Sequence, residues 1–592
     1  MSVLKFFWTA IFCSLFIASC QKSTSDVSNS GPNILLILAD DMGYGDVSNS
    51  GNKYLKTPHL DELATKSVNF KNFYVSPVCA PTRASLLTGQ YHQEVGVRSV
   101  TNGFEIMDPI AVTLAEILKE EGYRTAIFGK WHLGEYYPSV PNAQGFDEYL
   151  GFRTGHTSNY FDPVLEHNGK PEKTQGYITD VLTNKALDFI NNSSSTPFFC
   201  YLAYNAPHTP LQIEESKFQK FLGMGLDDKT SRVYAMVENI DDNVGKILAE
   251  LAIEGRLENT IVIFLSDNGP LSGWQIPQEK MRYNAGLRDQ KFTTYEGGIR
   301  TQCYWMWNGQ WLPYYDSTSI AAHIDIVPTL AQILNVELPD SLGVDGYDLS
   351  RTLKNQIPVD EKRIYFEDFH LDALRTPQLF NGGIARQAFW KMVAGTELYN
   401  LDEDPGEQIN LAEKYPEKLA ELNEAYTEYY KDVFANGHVL PLPIKVGFDE
   451  ENPVRIAAHH GLASGNVQFM GFRGNYNESY GAHPTGVDGS WTSDWKQKGD
   501  GMKWELNFVE EAFYEIGISA NGNIGENSCI FNVGINEEIH TTTLPVLKKS
   551  DDWKYIPLLK IKVYQKTDIK LQLQSIASSD SLNINKLVIT KL

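Results

Sequence analysis

The chain has 592 residues, a hydrophobic fraction of 42% and a formal net charge of −23 at pH 7. One hydrophobic core rarely serves a chain of this length, so two or three domains are expected, and the apolar fraction is typical of a soluble globular protein. The negative charge argues against nucleic acid as a partner. An anionic ligand stays compatible with it, because exposed charges are screened beyond roughly 8 Å at physiological salt and a basic pocket can act locally.

Residues 1–19 are predicted to be a lipoprotein signal peptide. Lys5 provides a positive charge, and Phe6 to Ile17 form a short apolar segment. The following Ala18-Ser19-Cys20 completes a motif that resembles the lipobox of bacterial lipoproteins, which implies cleavage before Cys20 and its lipidation. An ordinary cleaved signal peptide is the alternative.

Residues 20–31 are polar and are predicted to form a flexible tether. No later apolar run is long enough to span a bilayer. We therefore expect a protein that is lipid-anchored in the bacterial cell envelope, at the outer membrane, and that meets the membrane through its anchor.

Residues 32–355 alternate between apolar runs and amphipathic stretches. The apolar runs predict buried parallel strands at Asn33 to Ala39, Thr125 to Gly129, Phe198 to Tyr204 and Thr260 to Ser266. Helical patterns lie between them, and the longest extends from about Asp228 to Glu254. This alternation predicts an α/β domain with a large mixed, mostly parallel sheet flanked by helices.

Each predicted strand ends in polar residues, and ligands of open α/β sheets bind beyond the carboxyl ends of the strands. The oxygen donors among them favour a hard cation such as calcium, and they are Asp40, Asp41, Asp267 and Asn268. The basic residues that can neutralise an oxyanion are Arg83, Lys130 and Lys291. His132 and His208 can transfer protons near neutral pH.

Two further regions follow the α/β domain. Residues 356–440 predict a small antiparallel α+β subdomain with a helix from Pro416 to about Val433. Beyond a proline-rich joint, residues 445–592 contain short strand-like runs between turn residues and predict a C-terminal β-sandwich. This module could bind carbohydrate or form a wall of the cleft; Trp491, Trp495 and Trp504 are candidate sugar platforms, with structural packing as the alternative.

The stretch Cys79-Ala80-Pro81-Thr82-Arg83 reads C-x-P-x-R and continues into Ala84 to Gly89. Proline in the first turn of a helix places the Cys79 sulfur at the helix N-terminus, where N–H groups and the helix dipole favour an anion. These five residues alone would also fit a buried cysteine that merely precedes a capped helix. Five further segments match motifs of the same known family in order and spacing: Ala39 to Asp46, Gly129 to Gly134, Ala206 to His208, Ser266 to Gly269 and Lys291 to Arg300.

Together these segments resemble the type I, formylglycine-dependent sulfatases of the alkaline-phosphatase-like superfamily, over about Asn33 to Val433. One departure is Asp289-Gln290, where the family often has glycines. The resemblance implies that a formylglycine-generating or anaerobic maturation enzyme oxidises Cys79 to formylglycine. It also implies one Ca²⁺, held by Asp40, Asp41, Asp267, Asn268 and the modified residue 79.

The resemblance further implies the role of each catalytic residue. Asp267 helps to deprotonate the hydrated formylglycine, whose oxygen attacks sulfur, and His208, aided by Lys291, protonates the leaving alcohol. His132 then removes a proton from the remaining hydroxyl, and sulfate is expelled. Lys130 and Arg83 hold the sulfate and the formylglycine respectively.

The expected function is therefore hydrolysis of sulfate esters in a sulfated polysaccharide or oligosaccharide, with algal ulvan, carrageenan or fucoidan as the first candidates. A phosphonate or phosphate monoester hydrolase and a sulfated-glycan binding protein are the alternatives. Residues predicted to contact the sugar lie in loops around the crevice, and they are Arg98, His156, Tyr160, His167 and Trp274.

Overall fold

A computed structural model describes residues 31–193, 196–271, 282–370, 376–436, 438–470, 491–548, 552–578 and 580–592. The predicted signal peptide, Cys20 and Trp274 lie outside the described residues, so the lipid anchor stays a prediction. The contacts of Pro32–Leu592 group this part of the chain into one unit. Among the described helices, none is long and apolar enough to cross a membrane.

Eleven strands form the central sheet within the described residues. In chain order they are β1 (Asn33–Ala39), β2 (Val68–Tyr74), β3 (Arg124–Lys130), β4 (Glu148–Phe152), β5 (Val164–His167), β6 (Lys170–Lys173), β7 (Phe198–Ala203), β8 (Thr260–Ser266), β9 (Arg300–Thr301), β10 (Cys303–Trp307) and β11 (Tyr314–Ala322). Their order in space is β11-β2-β10-β8-β1-β7-β3-β4-β5-β6, with β9 beside β2. The five central strands β8, β1, β7, β3 and β4 are parallel.

Helices cover both faces of this sheet. They are α1 (Pro58–Thr65), α2 (Cys79–Thr88), α3 (Leu114–Glu120), α4 (Ile178–Asn191), α5 (Glu215–Gly223), α6 (Asp228–Ile253), the short α7 (Glu296–Ile299), α8 (Ile326–Leu334) and α9 (Ser350–Asn355). Successive side chains of a strand point to opposite faces, so β1 contributes Leu35 and Ile37 to one core and Leu36 and Leu38 to the other. The first core contains residues of α1, α4, α5 and α6, and the second contains residues of α2, α3, α8 and α9.

The register of the central strands brings their carboxyl ends to one edge of the sheet. Ala39 pairs with Ser266, and Ala203 pairs with both Leu38 and Gly129. The polar residues that follow these strands are therefore neighbours. Helix α2 begins at the same edge, with Cys79 as its first residue.

The next region contains a four-stranded antiparallel sheet and one long helix among the described residues. Its elements are β12 (Ile364–Asp368), β13 (Gly383–Gln387), β14 (Trp390–Val393), β15 (Glu397–Asn400) and α10 (Pro416–Asn436). Leu422 and Tyr426 of α10 pack with Ala385 and Met392 of the sheet. This arrangement confirms the predicted small antiparallel α+β fold.

The C-terminal sheet has ten strands among the described residues, all linked by hydrogen bonds into one sheet. They are β16 (Ile444–Val446), β17 (Val454–Ala457), β18 (Leu462–Ser464), β19 (Gln468–Met470), β20 (Trp491–Ser493), β21 (Gly501–Asn523), β22 (Cys529–Ile535), β23 (Glu538–Thr543), β24 (Lys554–Ile576) and β25 (Ser581–Lys591). The predicted fold class is thereby confirmed, and the β-sandwich takes the form of one continuous sheet with bulges in its two longest strands.

The core of the C-terminal sheet also contains two side chains from the α/β part, Ile106 and Tyr136. The sheet therefore packs directly against loops that lie beside the crevice. Trp495 and Trp504 are 2% and 0% exposed in this core. Their interpretation as sugar platforms is wrong, because a fully buried ring has no face left for a sugar.

Candidate active site

Cys79 lies at the start of a helix that is buried over its whole length. The preceding Val78 is extended, so the chain turns into the helix at Cys79 itself. The Thr82 hydroxyl donates to the Asp267 carbonyl oxygen at 2.6 Å and accepts from the Ser76 N–H at 3.0 Å. These bonds attach the first turn of α2 to the residue that follows β8.

The His132 ring faces Cys79, with Nδ1 3.3 Å from Sγ. Its Nε2 lies 3.1 Å from the Val100 carbonyl oxygen, which can only accept, so Nε2–H donates there and Nδ1 carries the lone pair. Burial and the charge of Lys130 lower the pKa of His132 to about 3, so the ring is neutral at pH 7. His132 also has a left-handed backbone, at φ 61°, a strain often found at functional sites.

The four predicted oxygen donors converge beside Cys79. Asp40, Asp41, Asp267 and Asn268 are all buried. The Asp267 Oδ1 accepts from the Asp41 N–H at 3.1 Å, and the Asn268 amide donates to the Asp41 Oδ1 at 2.8 Å. Oxygens of Asp40 and Asp267 lie within 4.8 Å of each other and of the Cys79 sulfur.

Two buried oxygens of this set, Asp40 Oδ1 and Asn268 Oδ1, have no hydrogen-bond partner among the described residues. A buried acceptor without a donor is costly unless a cation or water meets it. The donor set is all oxygen, which suits calcium and not zinc. The residues present therefore fit a hard dication at this position.

Three cations balance the carboxylates of the site. The Lys130 Nζ lies 2.7 Å from Asp40, the Lys291 Nζ 2.5 Å from Asp41, and an Arg83 nitrogen 2.9 Å from Asp267. The formal charges cancel. A bound dication would leave a net positive charge for an anionic ligand.

Burial dominates the pKa values of the carboxyl groups. It raises the pKa of Asp40, and with the charge of Asp40 it raises the pKa of Asp267 to about 6. Burial acts in the same direction on Asp41, but Lys291 and His208 outweigh it and hold the pKa of that carboxyl well below its usual range. Asp267 is thus closer than Asp41 to exchanging a proton at neutral pH.

His208 lines the same crevice as His132. Its Nδ1 donates to the Thr209 carbonyl oxygen at 2.6 Å, which leaves Nε2, 3.8 Å from Asp41, to exchange a proton with a ligand. Burial lowers the pKa of His208 well below its ordinary value. The ring is therefore neutral at pH 7.

Part of this set lines one cavity of about 960 Å³, counted with the space open to solvent. Cys79, His132, His208 and Lys291 form its base, and Phe469 and Met470 reach it from the C-terminal sheet.

A family model described as Sulfatase matches residues 32–336, slightly more than half of the chain. This chain belongs to the sulfatase family. N-acetylgalactosamine-6-sulfatase of Mus musculus is 31% identical over 68% of this chain and 86% of its own length. A protein of Formosa agariphila named Sulfatase is 30% identical over 69% and 88%.

The solved structure of Ps i-CgsB in complex with k-i-k-neocarrahexaose is similar as well. It is 29% identical, has a TM-score of 0.62, and the match covers 69% of this chain and 93% of that chain. The protein is therefore a sulfuric ester hydrolase. About a third of the chain lies outside the matches to these three proteins.

The predicted sugar-contacting residues of this sulfatase take different places. His156 lines the cavity, whereas Tyr160 is buried behind it and donates its hydroxyl to the His208 carbonyl oxygen at 2.9 Å. Arg98 lies outside the cavity lining, with its guanidinium over the rings of Phe104 and Phe434. His167 is also outside the lining and contacts Glu172 at 2.6 Å.

Sequence reasoning missed several residues of the site, and Gly155 is the most informative. A Cβ at Gly155 would lie 2.6 Å from two atoms of the His132 ring, so only glycine leaves room for that ring. Asp289, where the family often has glycine, has a left-handed backbone at φ 66°, which glycine adopts most easily. The lining also includes Glu105, Glu135 and His459, which no motif contained.

Gly155→Ala should push the His132 ring away from residue 79 and lower kcat by about 100-fold, since misplacement by about 1 Å costs this much. The matched control is Gly223→Ala, because a Cβ there meets nothing within 4 Å. Steady-state kinetics and circular dichroism of both variants check this. A fully active Gly155→Ala enzyme would show that the position of the ring does not matter.

Proposed function

We propose that this sulfatase depends on calcium and formylglycine and removes sulfate from a sulfated glycan, with algal polysaccharides such as ulvan, carrageenan or fucoidan as the substrate class. The observation that carries the chemistry is the contact of 3.3 Å between the Cys79 sulfur and the lone pair of His132, beside buried Asp40 and Asp267. A residue converted at this position would meet a base and a cation site at once.

As formylglycine, residue 79 would supply a hydrated aldehyde whose hydroxyl is the nucleophile towards sulfur. Calcium at Asp40, Asp41, Asp267 and Asn268 would supply positive charge for the oxyanion. His132 Nδ1 is placed to accept a proton from the substituent on residue 79, because Val100 occupies its other nitrogen. Arg83 orients Asp267 through the contact of 2.9 Å, which keeps that carboxylate directed at the same substituent.

Lys130, Lys291 and His208 act on the sulfate ester. Lys130 and Lys291 are fully or nearly fully buried, so their charges are little screened and favour an anion at the base of the cavity. The neutral His208 becomes protonated when the anionic ester arrives, and its Nε2–H can then be given to the leaving alcohol. This proton transfer links substrate binding to general acid catalysis.

The sugar itself is inferred from the cavity and the relatives. The cavity lining also includes Phe469, Met470 and His156, so a long glycan would meet both apolar and polar side chains. Ps i-CgsB, solved with k-i-k-neocarrahexaose, supports a carrageenan-type glycan among the candidates.

Purified enzyme should release free sulfate from at least one defined oligosaccharide of ulvan, carrageenan or fucoidan, measured by ion chromatography. Glycosaminoglycan fragments, a phosphate monoester and a phosphonate monoester complete the panel. Faster turnover of the phosphate or phosphonate ester would replace the proposal with the monoester hydrolase, and binding without any turnover would favour a glycan-binding protein.

Cys79 should carry formylglycine in active enzyme, and peptide mass spectrometry should show an aldehyde in place of the thiol. Cys79→Ala should lower kcat at least about 1,000-fold, as is typical for loss of a nucleophile. Cys200→Ala is the matched control, because Cys200 is equally buried but lies in β7, away from the cavity. Full activity with an unmodified Cys79 would contradict the formylglycine proposal.

Elemental analysis should find about one calcium per chain at the oxygen set. Asp40→Asn should lower the calcium content, because it removes a negative charge and weakens an oxygen ligand. Asp228→Asn, which alters an exposed pair with Arg232, should leave the calcium content unchanged. An enzyme that contains no calcium and is fully active would rule this cation out.

His208→Ala should reduce turnover of alkyl sulfates by about 100-fold or more and that of activated aryl sulfates much less, because an aryl leaving oxygen needs no proton. The comparison is internal, since both substrates meet the same variant. Equal losses on both substrates would assign His208 to binding and not to proton donation.

A further inference from the structure

A second cluster of ligating side chains lies at the wall of the cavity. Its members are Glu105, Glu135, His459 and His460, and their ligating atoms all lie within 4.8 Å of one another. The His460 Nε2 is 2.8 Å from the Glu105 carboxylate and 3.9 Å from that of Glu135, and the His459 Nε2 is 3.6 Å from Glu135. The cluster contains none of the residues assigned to calcium.

These distances suit a four-coordinate metal. Bonds of roughly 2.0–2.2 Å in a tetrahedron place the ligand atoms about 3.3–3.6 Å apart. The observed separations bracket that value, so small side-chain shifts would complete the coordination. The Glu105 Oε2 supports this view, because it is buried and has no hydrogen-bond partner among the described residues.

His460 is oriented as metal-binding histidines are. Its second nitrogen, Nδ1, lies 2.6 Å from the Tyr136 hydroxyl, which also accepts from the Ala457 N–H at 2.8 Å. With a metal on Nε2, Nδ1–H donates to the Tyr136 oxygen and fixes the ring, the second contact that such ligands usually make.

We propose that Glu105, Glu135, His459 and His460 form a second metal site, for a transition-metal dication such as Zn²⁺. Two imidazole nitrogens with two carboxylate oxygens favour such a metal, whereas the oxygen-only set at Asp40 favours calcium. The metal links loops of the α/β part to residues more than 300 positions away in the C-terminal sheet region. It thereby holds the wall of the cavity in place.

The test is zinc binding by the full chain, first stripped of metals and then reloaded with calcium. Isothermal titration with ZnCl₂ should show one site per chain with a dissociation constant below about 1 µM, equivalent to about 8 kcal/mol. Elemental analysis should show zinc in addition to calcium, and zinc should raise the melting temperature. Failure of the wild-type chain to bind zinc in this titration would overturn the proposal.

Conservative variants locate the site. His459→Gln and Glu135→Gln should each weaken zinc binding at least about 30-fold, whereas His540→Gln, in the exposed strand β23, should bind zinc as the wild type does. Asp267→Asn should also retain the zinc site. If the His459 and Glu135 variants bind zinc unchanged, the four residues are a hydrogen-bonded network without a metal. These measurements use no turnover, so their outcome is independent of the proposed function.

Discussion

Charge compensation between buried side chains is the constraint on which this site depends. Three carboxylates and three cations are buried together at the end of a parallel sheet, and each carboxylate meets a cation within 2.9 Å. Loss of one partner would leave an uncompensated buried charge, which costs several kcal/mol. The register of β1, β7, β8 and β3 and the start of α2 are therefore fixed by electrostatics as well as by packing. With these charges balanced, a cation bound beside them would make the site positive.

Much of this arrangement could be predicted from the sequence, because it follows from one rule. Parallel strands are apolar runs in the sequence, and their carboxyl ends share an edge, so the sequence alone places Asp40, His132 and Asp267 together. The orientation of each ring could not be predicted. It depends on the carbonyl group of Val100 and on the missing Cβ of Gly155. Neither feature leaves a pattern in the sequence.

The less accurate predictions concern loops and the C-terminal sheet. Arg98 lies in a loop and His167 ends β5, and their partners are Phe434 and Glu172, so closeness in sequence to catalytic segments did not mean closeness to the cavity. Trp495 and Trp504 are aromatic, as sugar platforms are, but both are buried in the core of the C-terminal sheet. Glu105 and His460 meet although 355 positions separate them, and no local motif records such a contact.

The bond from His132 to a main-chain oxygen has a consequence for tolerance to mutation. Every amino acid at position 100 brings the same carbonyl group, so replacing the Val100 side chain leaves the acceptor in place. The proton on the His132 ring is thus held by a main-chain carbonyl group that no substitution removes. Position 155 has the opposite character, because any residue other than glycine carries the Cβ that the ring excludes. Of these two neighbours of the His132 ring, position 100 therefore accepts other side chains and position 155 does not.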